Sequence, residues 1–172
     1  MSVSDYKAEF EKMLNRDYFS KFLHPHRKEA FAQLEKTGFP NRKWEDWRFT
    51  NVSTISDGEF NISEIMDAPQ NTPNISAYKM EGVDTVVIYN GHYQKELSNV
   101  PDGVALLSEL EYLERKNGKF NTANNSPFDL LNTAFTDSGM CIVVEKNTQI
   151  ETPIRVLFIS NGDRSIMVNP RV

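Results

Sequence analysis

The first third of the chain carries its apolar residues at helical spacing. Phe10, Met13 and Leu14 recur three and four positions apart among polar residues. Ser4 stands where the cap of such a helix is expected, because a serine side chain accepts a hydrogen bond from the first turn. The pattern therefore predicts an amphipathic helix at the start of the chain.

A second helix is predicted over "HPHRKEAFAQLEKTGFP", residues 24–40. Pro25 suits the first turn, and Gly38 suits the left-handed position after the last turn. Phe39 is placed to fold back onto the helix, and Pro40 prevents its continuation. The apolar stripe of this helix consists of Ala30, Phe31 and Leu34.

The pattern changes to strands and short helices after residue 57. Residues 57–78 are rich in Asp, Asn, Ser and Pro and predict a connecting loop. "VDTVVIYNGHY" predicts a strand that ends in an Asn-Gly turn, and "VALL" predicts another. A helix is then expected over 109–118, capped by Ser108. Another helix is expected from Pro127, with Ser126 as its cap and Asp129 in its first turn.

The last stretch, residues 140–172, contains three short apolar runs. They begin near Cys141, Ile154 and Ile166, and polar turns separate them. Short strands at this spacing predict either an antiparallel meander or successive rungs of a β-helix. The run "RVLFIS" is apolar on both alternating faces, so we expect it to be covered on both sides.

Composition and charge exclude several classes of function. The 172 residues include one cysteine, which rules out an internal disulfide and any Cys-x-x-Cys motif. Net charge is −5, and residues 1–50 carry ten Lys and Arg against eight Asp and Glu. No part forms the basic face that nucleic-acid binding needs. No run is apolar enough to cross a membrane, and no signal peptide is evident, so we expect a cytoplasmic protein.

The most distinctive segment is "GFPNRKWEDWRFTNV", residues 38–52, with Trp44 and Trp47 among charged side chains. If the segment is helical, both tryptophans and Arg48 lie on one face. Its charges nearly cancel, which disfavours stacking on single-stranded nucleic acid. Two indoles are effective at clamping packed elements together. We therefore favour a structural anchor, in which Arg48 orients the tryptophans through a carboxylate, over a binding surface.

No catalytic or metal site can be assembled from spacing alone. His24 and His26 stand at a helix start without a third ligand, and His92 is expected to be exposed after the Asn-Gly turn. Cys141, inside "MCIVV", is expected to be a buried, unreactive thiol. No nucleophile elbow or phosphate loop is present. From the residues alone, the chain is an α+β protein without a catalytic constellation.

Three separate stretches, which occur in the right order along the chain, resemble the SufB/SufD family of iron–sulfur cluster assembly proteins, and the SufD type in particular. "AFAQLEKTGFPNRKWEDWRFTNV" is similar to the family's amino-terminal signature. "VVIYNGHYQKELS" is similar to its short strand with an Asn-Gly turn. "PFDLLNTAFTDSGMCIVVEKNTQIETPIRVLFIS" is similar to the start of its β-helix. The match extends, with gaps, from about residue 26 to the end.

The resemblance implies a non-catalytic scaffold subunit that works in a complex. Such proteins have a helical amino-terminal domain, a right-handed parallel β-helix and a helical carboxy-terminal domain. A SufD-type subunit pairs with a SufB-type subunit, and each docks a SufC-type ATPase. The residues that the family uses for clusters lie in later regions, so no cofactor is expected on this segment, and no role follows for Cys141 or His92.

Together these features predict an α+β chain with three regions. Residues 1–56 form a helical amino-terminal region, 57–138 a mixed loop, strand and helix region, and 139–172 the first rungs of a truncated right-handed parallel β-helix. Unpaired rungs would also favour a homo-oligomer of the segment. The alternative is an independent small module that binds a protein or peptide, and a small-molecule enzyme is the third class.

Overall fold

The computed structural model of the protein describes residues 3–16, 23–62, 73–108, 111, 126–136, 140–162 and 165–169. These residues belong to two compact units. The first draws on the ranges 1–62 and 119–136, and the second on 63–118 and 137–172. Helices and several sheets occur together, which confirms the α+β prediction. The predicted three-region division of the chain stays a prediction.

The described helices are α1 (Lys7–Leu14), α2 (His24–Thr37), α3 (Ser53–Ser56) and α4 (Pro127–Phe135). The strands are β1 (Asn61–Ile62), β2 (Asp84–Tyr89), β3 (His92–Tyr93), β4 (Val104–Ser108), β5 (Met140–Val144), β6 (Ile154–Ile159) and β7 (Ile166–Met167). Short 3-10 turns cover Val3–Tyr6, Glu45–Trp47, Ser76–Tyr78 and Lys95–Leu97. None of the helices in these described ranges has the length and hydropathy to cross a membrane.

Helix α1 begins later than its sequence predicts. The 3-10 turn that contains Ser4 precedes it, and Tyr6 occupies the position before its first residue. The prediction of Ser4 as the cap is therefore wrong, because the chain already turns tightly at that point. Phe10 and Met13 are buried, as the helical spacing predicts.

Helices α2 and α4 confirm their predicted boundaries and caps. Ala30, Phe31 and Leu34 are buried on α2. Gly38 ends that helix with a φ of 72°, and its N–H donates to the Leu34 carbonyl at 2.8 Å. At the other helix, the Ser126 hydroxyl accepts a hydrogen bond from the Asp129 N–H at 3.2 Å, so the cap satisfies one free donor of the first turn.

Three phenylalanines from three helices form the centre of the first unit. The rings of Phe10 and Phe31 are stacked, with centroids 4.2 Å apart. Phe135 meets both rings edge-on, at 5.7 Å and 6.0 Å. Edge-to-face contacts place the positive rim of one ring against the negative face of another. This triad joins α1, α2 and α4.

A buried arginine completes the contact between α2 and α4. Arg27 is 2% exposed, and its Nε donates to the Thr136 carbonyl at 3.1 Å. A second guanidinium nitrogen donates to the same oxygen. Thr136 directly follows α4, so the cation lies at the negative end of that helix dipole and satisfies one of its last carbonyls.

In the second unit, β2 is the central strand of a three-stranded sheet. It pairs antiparallel with β3 and parallel with β6, and the parallel register runs from Asp84 opposite Ile154 to Tyr89 opposite Ile159. The hairpin turns at Asn90 and Gly91, with φ of 47° and 87°. Both values are positive, as the Asn-Gly signal predicts for a tight hairpin. The predicted strand and turn are confirmed.

The Asn90 side chain holds this turn against the end of β6. Its amide nitrogen donates to the Asn161 carbonyl at 2.7 Å, and its oxygen accepts from the Asn161 N–H at 2.8 Å. Asn90 is 4% exposed, so two reciprocal bonds satisfy a buried polar group. The turn residue therefore also fixes where the parallel pair ends.

The other four predicted strands of this unit also form, as β4, β5, β6 and β7. The pairing of the last stretch differs from one expectation. Strand β5 pairs antiparallel with β4, whereas β6 pairs with β2. This pairing excludes an antiparallel meander of β5 and β6. The expectation that "RVLFIS" is covered on both sides is wrong, because Phe158 is 52% exposed. Strand β2, by contrast, is buried from Thr85 to Tyr89.

Other predictions fall partly outside the described residues. Ser108 is the last residue of β4, and of the helix predicted over 109–118 the structure describes Glu111, which is helical. The predicted loop over 57–78 contains β1 and a 3-10 turn, and its residues 63–72 lie outside the described part.

We expect Arg27→Met to lower the free energy of unfolding by roughly 1–3 kcal/mol, because the thioether fills the volume but leaves the Thr136 carbonyl without its donors. Lys28→Met, at an exposed position of the same helix, should change it by less than about 0.5 kcal/mol. Urea denaturation followed by circular dichroism measures both. Equal stabilities of the two variants would contradict the role of Arg27.

Candidate functional site

The tryptophan segment, residues 38–52, is built from consecutive tight turns. The Asn41 side-chain oxygen accepts from the Lys43 N–H at 2.9 Å, and the Trp44 N–H donates to the Asn41 carbonyl at 2.9 Å. Trp44 itself is extended, with φ −83° and ψ 128°. Asn at the first position supports such a turn because its side chain replaces a backbone acceptor. A single 3-10 turn covers Glu45–Trp47, and the described segment forms no α-helix.

Trp47 joins the segment to the core of the first unit through rings. Its indole centroid lies 5.2 Å from that of Phe128, which in turn lies 6.0 Å from Phe39. Phe39 lies 5.5 Å from Tyr6, and Tyr6 lies 6.1 Å from Phe135. We call this series the aromatic chain. It connects a half-buried surface indole to the phenylalanine triad by aromatic contacts alone.

Trp44 and Arg48 are placed differently from Trp47. Trp44 is half-buried, and its carbonyl accepts the Trp47 N–H at 3.0 Å. Arg48 is exposed, and its guanidinium lies 3.9 Å from the Glu45 carboxylate. An exposed pair of this kind stabilises little, because water and salt screen it. The anchoring role of Trp44, Trp47 and Arg48 stays a prediction.

Phe49 is the most exposed large apolar side chain of this segment. It is 93% exposed, and the Arg48 guanidinium carbon lies 5.5 Å from its ring centroid. A cation above an aromatic face is attracted by the ring electrons. The Phe49 side chain therefore points away from the folded core, and the positive charge of Arg48 lies beside it.

A cleft of about 530 Å³ lies along the same segment. It is lined by residues 40–43 and 50–53 with Ser56, and Arg42 and Lys43 are its charged members. Pro40 and Val52, both buried, contribute its apolar wall. The cleft is therefore positively charged on a chain whose net charge is −5.

Tyr6, inside the aromatic chain, also ties α1 to α3. Its hydroxyl donates to the Ile55 carbonyl at 2.6 Å. Burial raises the pKa of the Tyr6 phenol above its ordinary value of 10.0, and the Asp57 charge raises it further. Both effects disfavour the phenolate. The neutral hydroxyl is thus the form that the fold stabilises.

The other candidates from the sequence are not brought together into a site. His24 and His26 are half-buried at the start of α2. His92 is half-buried rather than exposed, since β3 pairs with β2. Cys141 is half-buried rather than buried, on β5 opposite Leu107. Within the described ranges, no group of three or more His, Cys, Asp or Glu side chains could hold a metal ion.

Sequence reasoning missed three residues that organise this region. Arg27 lies at the position three before Ala30 and four before Phe31, so helical spacing already places it on the buried stripe. Phe128 was recognisable only as part of a capped helix. The exposure of Phe49 had no local signal, because a phenylalanine beside two tryptophans suggests a buried cluster.

Comparison with known proteins gives two matches. A family model described as the SufBD protein N-terminal region matches residues 3–156. The chain is also similar to a protein of Synechocystis sp. (strain ATCC 27184 / PCC 6803 / Kazusa) named as an iron–sulfur cluster assembly SufBD family protein. The two are 28% identical over 161 residues, which cover 85% of this chain and 34% of that protein. The chain thus spans about a third of this relative's length.

We expect Trp47 to report on its contact with Phe128. In a Trp44→Phe background, Phe128→Ala should shift the tryptophan emission to longer wavelength, because water replaces the ring beside the indole. The loss of the aromatic pair should also destabilise the fold by about 0.5–1.5 kcal/mol. Phe49→Ala is the matched control, since its ring is exposed, and should leave the emission unchanged. Identical emission in all three proteins would show that Trp47 has no such contact.

We expect the fold to lose stability in alkali through Tyr6. A raised folded-state pKa means that the phenol contributes stability below pH 10.0, which is lost as the pH rises through the folded-state pKa. Tyr6→Phe should cost about 0.5–1.5 kcal/mol at neutral pH through the lost hydrogen bond. Above pH 10.0 its stability should fall less steeply than that of the wild type. Parallel curves from urea titrations across this range would contradict the assignment.

Proposed function

Because the chain belongs to the SufBD family, by its match to the SufBD protein N-terminal region, we propose that it is the amino-terminal segment of a SufD-type scaffold subunit for iron–sulfur cluster assembly. The family match over residues 3–156 carries this proposal. The name of the Synechocystis relative supports a role in this process, since it describes iron–sulfur cluster assembly.

The SufD type rests on the resemblance of the three stretches taken together, of which residues 30–52, similar to the family's amino-terminal signature, are the strongest. In this proposal the parent protein pairs with a SufB-type subunit, and a SufC-type ATPase supplies the energy for rearrangement. The cytoplasm is the proposed compartment. The segment acts as a scaffold and carries out no catalysis of its own.

We further propose that the second unit opens a right-handed parallel β-helix. The parallel register of β2 and β6 over six residue pairs supports this, because the rungs of a β-helix stack as parallel strands. The burial of β2 supports it as well, since strands of parallel sheets are covered on both faces. In this arrangement the outer edge of β6, with its half-exposed Phe158, receives a further strand of the same architecture.

The cluster is cargo of the complex in this proposal and is held elsewhere. As the resemblance implies, the residues that ligate the cluster lie in later regions of the parent protein, and this segment has a supporting role.

The alternative, an independent module that binds a protein or peptide, predicts a different dependence on partners. Such a module would bind its target without any SufB-type or SufC-type subunit. The family match makes the scaffold the preferred function, and a homo-oligomer of the isolated segment is compatible with either.

We expect the full-length gene product that contains this sequence to retain both SufB-type and SufC-type subunits of its own organism on an affinity resin after co-expression. A form limited to residues 1–172 should retain much less of the SufC-type subunit, which the resemblance docks on the carboxy-terminal region. Each subunit expressed alone on the same resin is the control. A full-length product that retains neither subunit would overturn the scaffold proposal.

A further inference from the structure

We infer that the cleft beside the tryptophan segment and the adjoining Phe49 form a docking surface for an acidic segment of a partner protein. The docking surface is defined by Asn41, Arg42, Lys43, Phe49 and Asn51. All five side chains belong to the first unit, so the inference does not depend on the β-strands of the second unit. It also holds for a scaffold of either SufB or SufD type.

The charge of the cleft selects the class of partner. Arg42 and Lys43 are both exposed and both line the cleft, and none of its lining residues is Asp or Glu. The remainder of the chain is acidic overall, since the total net charge is −5. A local positive patch attracts a partner segment that carries negative charge.

Two asparagines supply hydrogen-bond donors to the docking surface, in addition to its two cations. The Asn41 side-chain oxygen is occupied by the Lys43 N–H at 2.9 Å, and the Asn51 oxygen by the Ser53 N–H at 3.1 Å. Each amide oxygen is already used within its own turn, so the NH₂ group is the part left to contact a ligand. Cations and N–H donors together suit carboxylate and peptide carbonyl oxygens.

Phe49 adds the apolar contact that distinguishes a peptide from a small anion. A phenylalanine that is 93% exposed gives up most of the free energy that burial would provide. It adjoins Thr50, which lines the cleft, so an extended chain in the cleft reaches the ring with its next side chains. Phenylalanine and arginine are both among the residue types enriched at the centres of protein interfaces.

The size of the cleft fits a short peptide segment. Its volume of about 530 Å³ lies within the range of sites that hold a small ligand or a few residues of chain. Pro40 and Val52 supply apolar wall between the donors. A nucleic acid is disfavoured, because the cleft offers two cations, Arg42 and Lys43, which are fewer than the row of phosphate contacts that nucleic-acid binding uses.

The test uses fluorescence anisotropy with the chain and a fluorescein-labelled synthetic peptide of alternating glutamate and leucine. We expect saturable binding that weakens as salt is added. Arg42→Glu should weaken binding by about tenfold or more, and Phe49→Ser by about tenfold. Lys28→Glu is the matched control, because it makes the same charge change on an exposed face of α2, and it should bind as the wild type does.

Three results would overturn the inference. The first is equal binding of a glutamine–leucine peptide, which would remove the charge requirement. The second is displacement of the peptide by inorganic phosphate at an ionic strength where chloride leaves it bound, which would indicate a site for small anions only. The third is equal binding by Arg42→Glu and Lys28→Glu proteins whose circular dichroism matches the wild type. None of these results tests the retention of SufB-type or SufC-type subunits. The docking surface and the proposed function can therefore be contradicted independently of each other.

Discussion

The first unit depends on one buried cation that joins two distant parts of the chain. Arg27 on α2 donates to the carbonyl of Thr136 at the end of α4, 109 positions later in the sequence. A buried guanidinium is tolerated only where its donors are satisfied, and a helix end offers unsatisfied carbonyls. The residues that separate the two helices include most of the second unit. The helical core is therefore completed only when α4 reaches α2.

A series of aromatic ring contacts connects this buried core to the surface of the first unit. Phe10 and Phe31 stack on each other and receive the edge of Phe135, and the aromatic chain continues from there to Trp47. Each contact is weak, but planar rings have few rotamers and lose little entropy when they pack. The Trp47 indole of the tryptophan segment contacts Phe128, while Arg42, Lys43 and Arg48 of the same segment are exposed. Recognition residues are often found on loops that a rigid core positions.

In the second unit, the equivalent constraint is the burial of β2. Thr85 to Tyr89 are buried, so the backbone of this strand needs partners on both sides. Strand β6 pairs with its whole length on one side. On the other side β3 pairs with its last two residues, and the Asn99 and Ser98 side-chain oxygens accept from the Thr85 and Val87 N–H groups. The hairpin partner is local, whereas β6 arrives after a long connection, as parallel strands require.

Local chemistry made several elements predictable from the sequence. Ser126 and Pro127 predict the start of α4, Gly38 predicts the end of α2, and the Asn-Gly pair predicts the β2–β3 turn. Each of these features depends on the backbone preferences of one or two residues. The family signature was likewise recognisable, because it consists of particular residues in a fixed order along the chain. The start of α1 was not predictable from Ser4, since a 3-10 turn competes with the helix there.

Only the tertiary structure decided which neighbours these elements meet. It placed Arg27 against Thr136, left Phe49 exposed beside buried rings, and made β2 rather than β6 the covered strand. The candidate docking surface also arises this way, because residues 40–43 and 50–53 face one cleft only after the turns between them have formed. Sequence patterns report the preference of each residue for its own backbone state. Burial and charge environment depend instead on groups far along the chain, whose approach no local preference encodes.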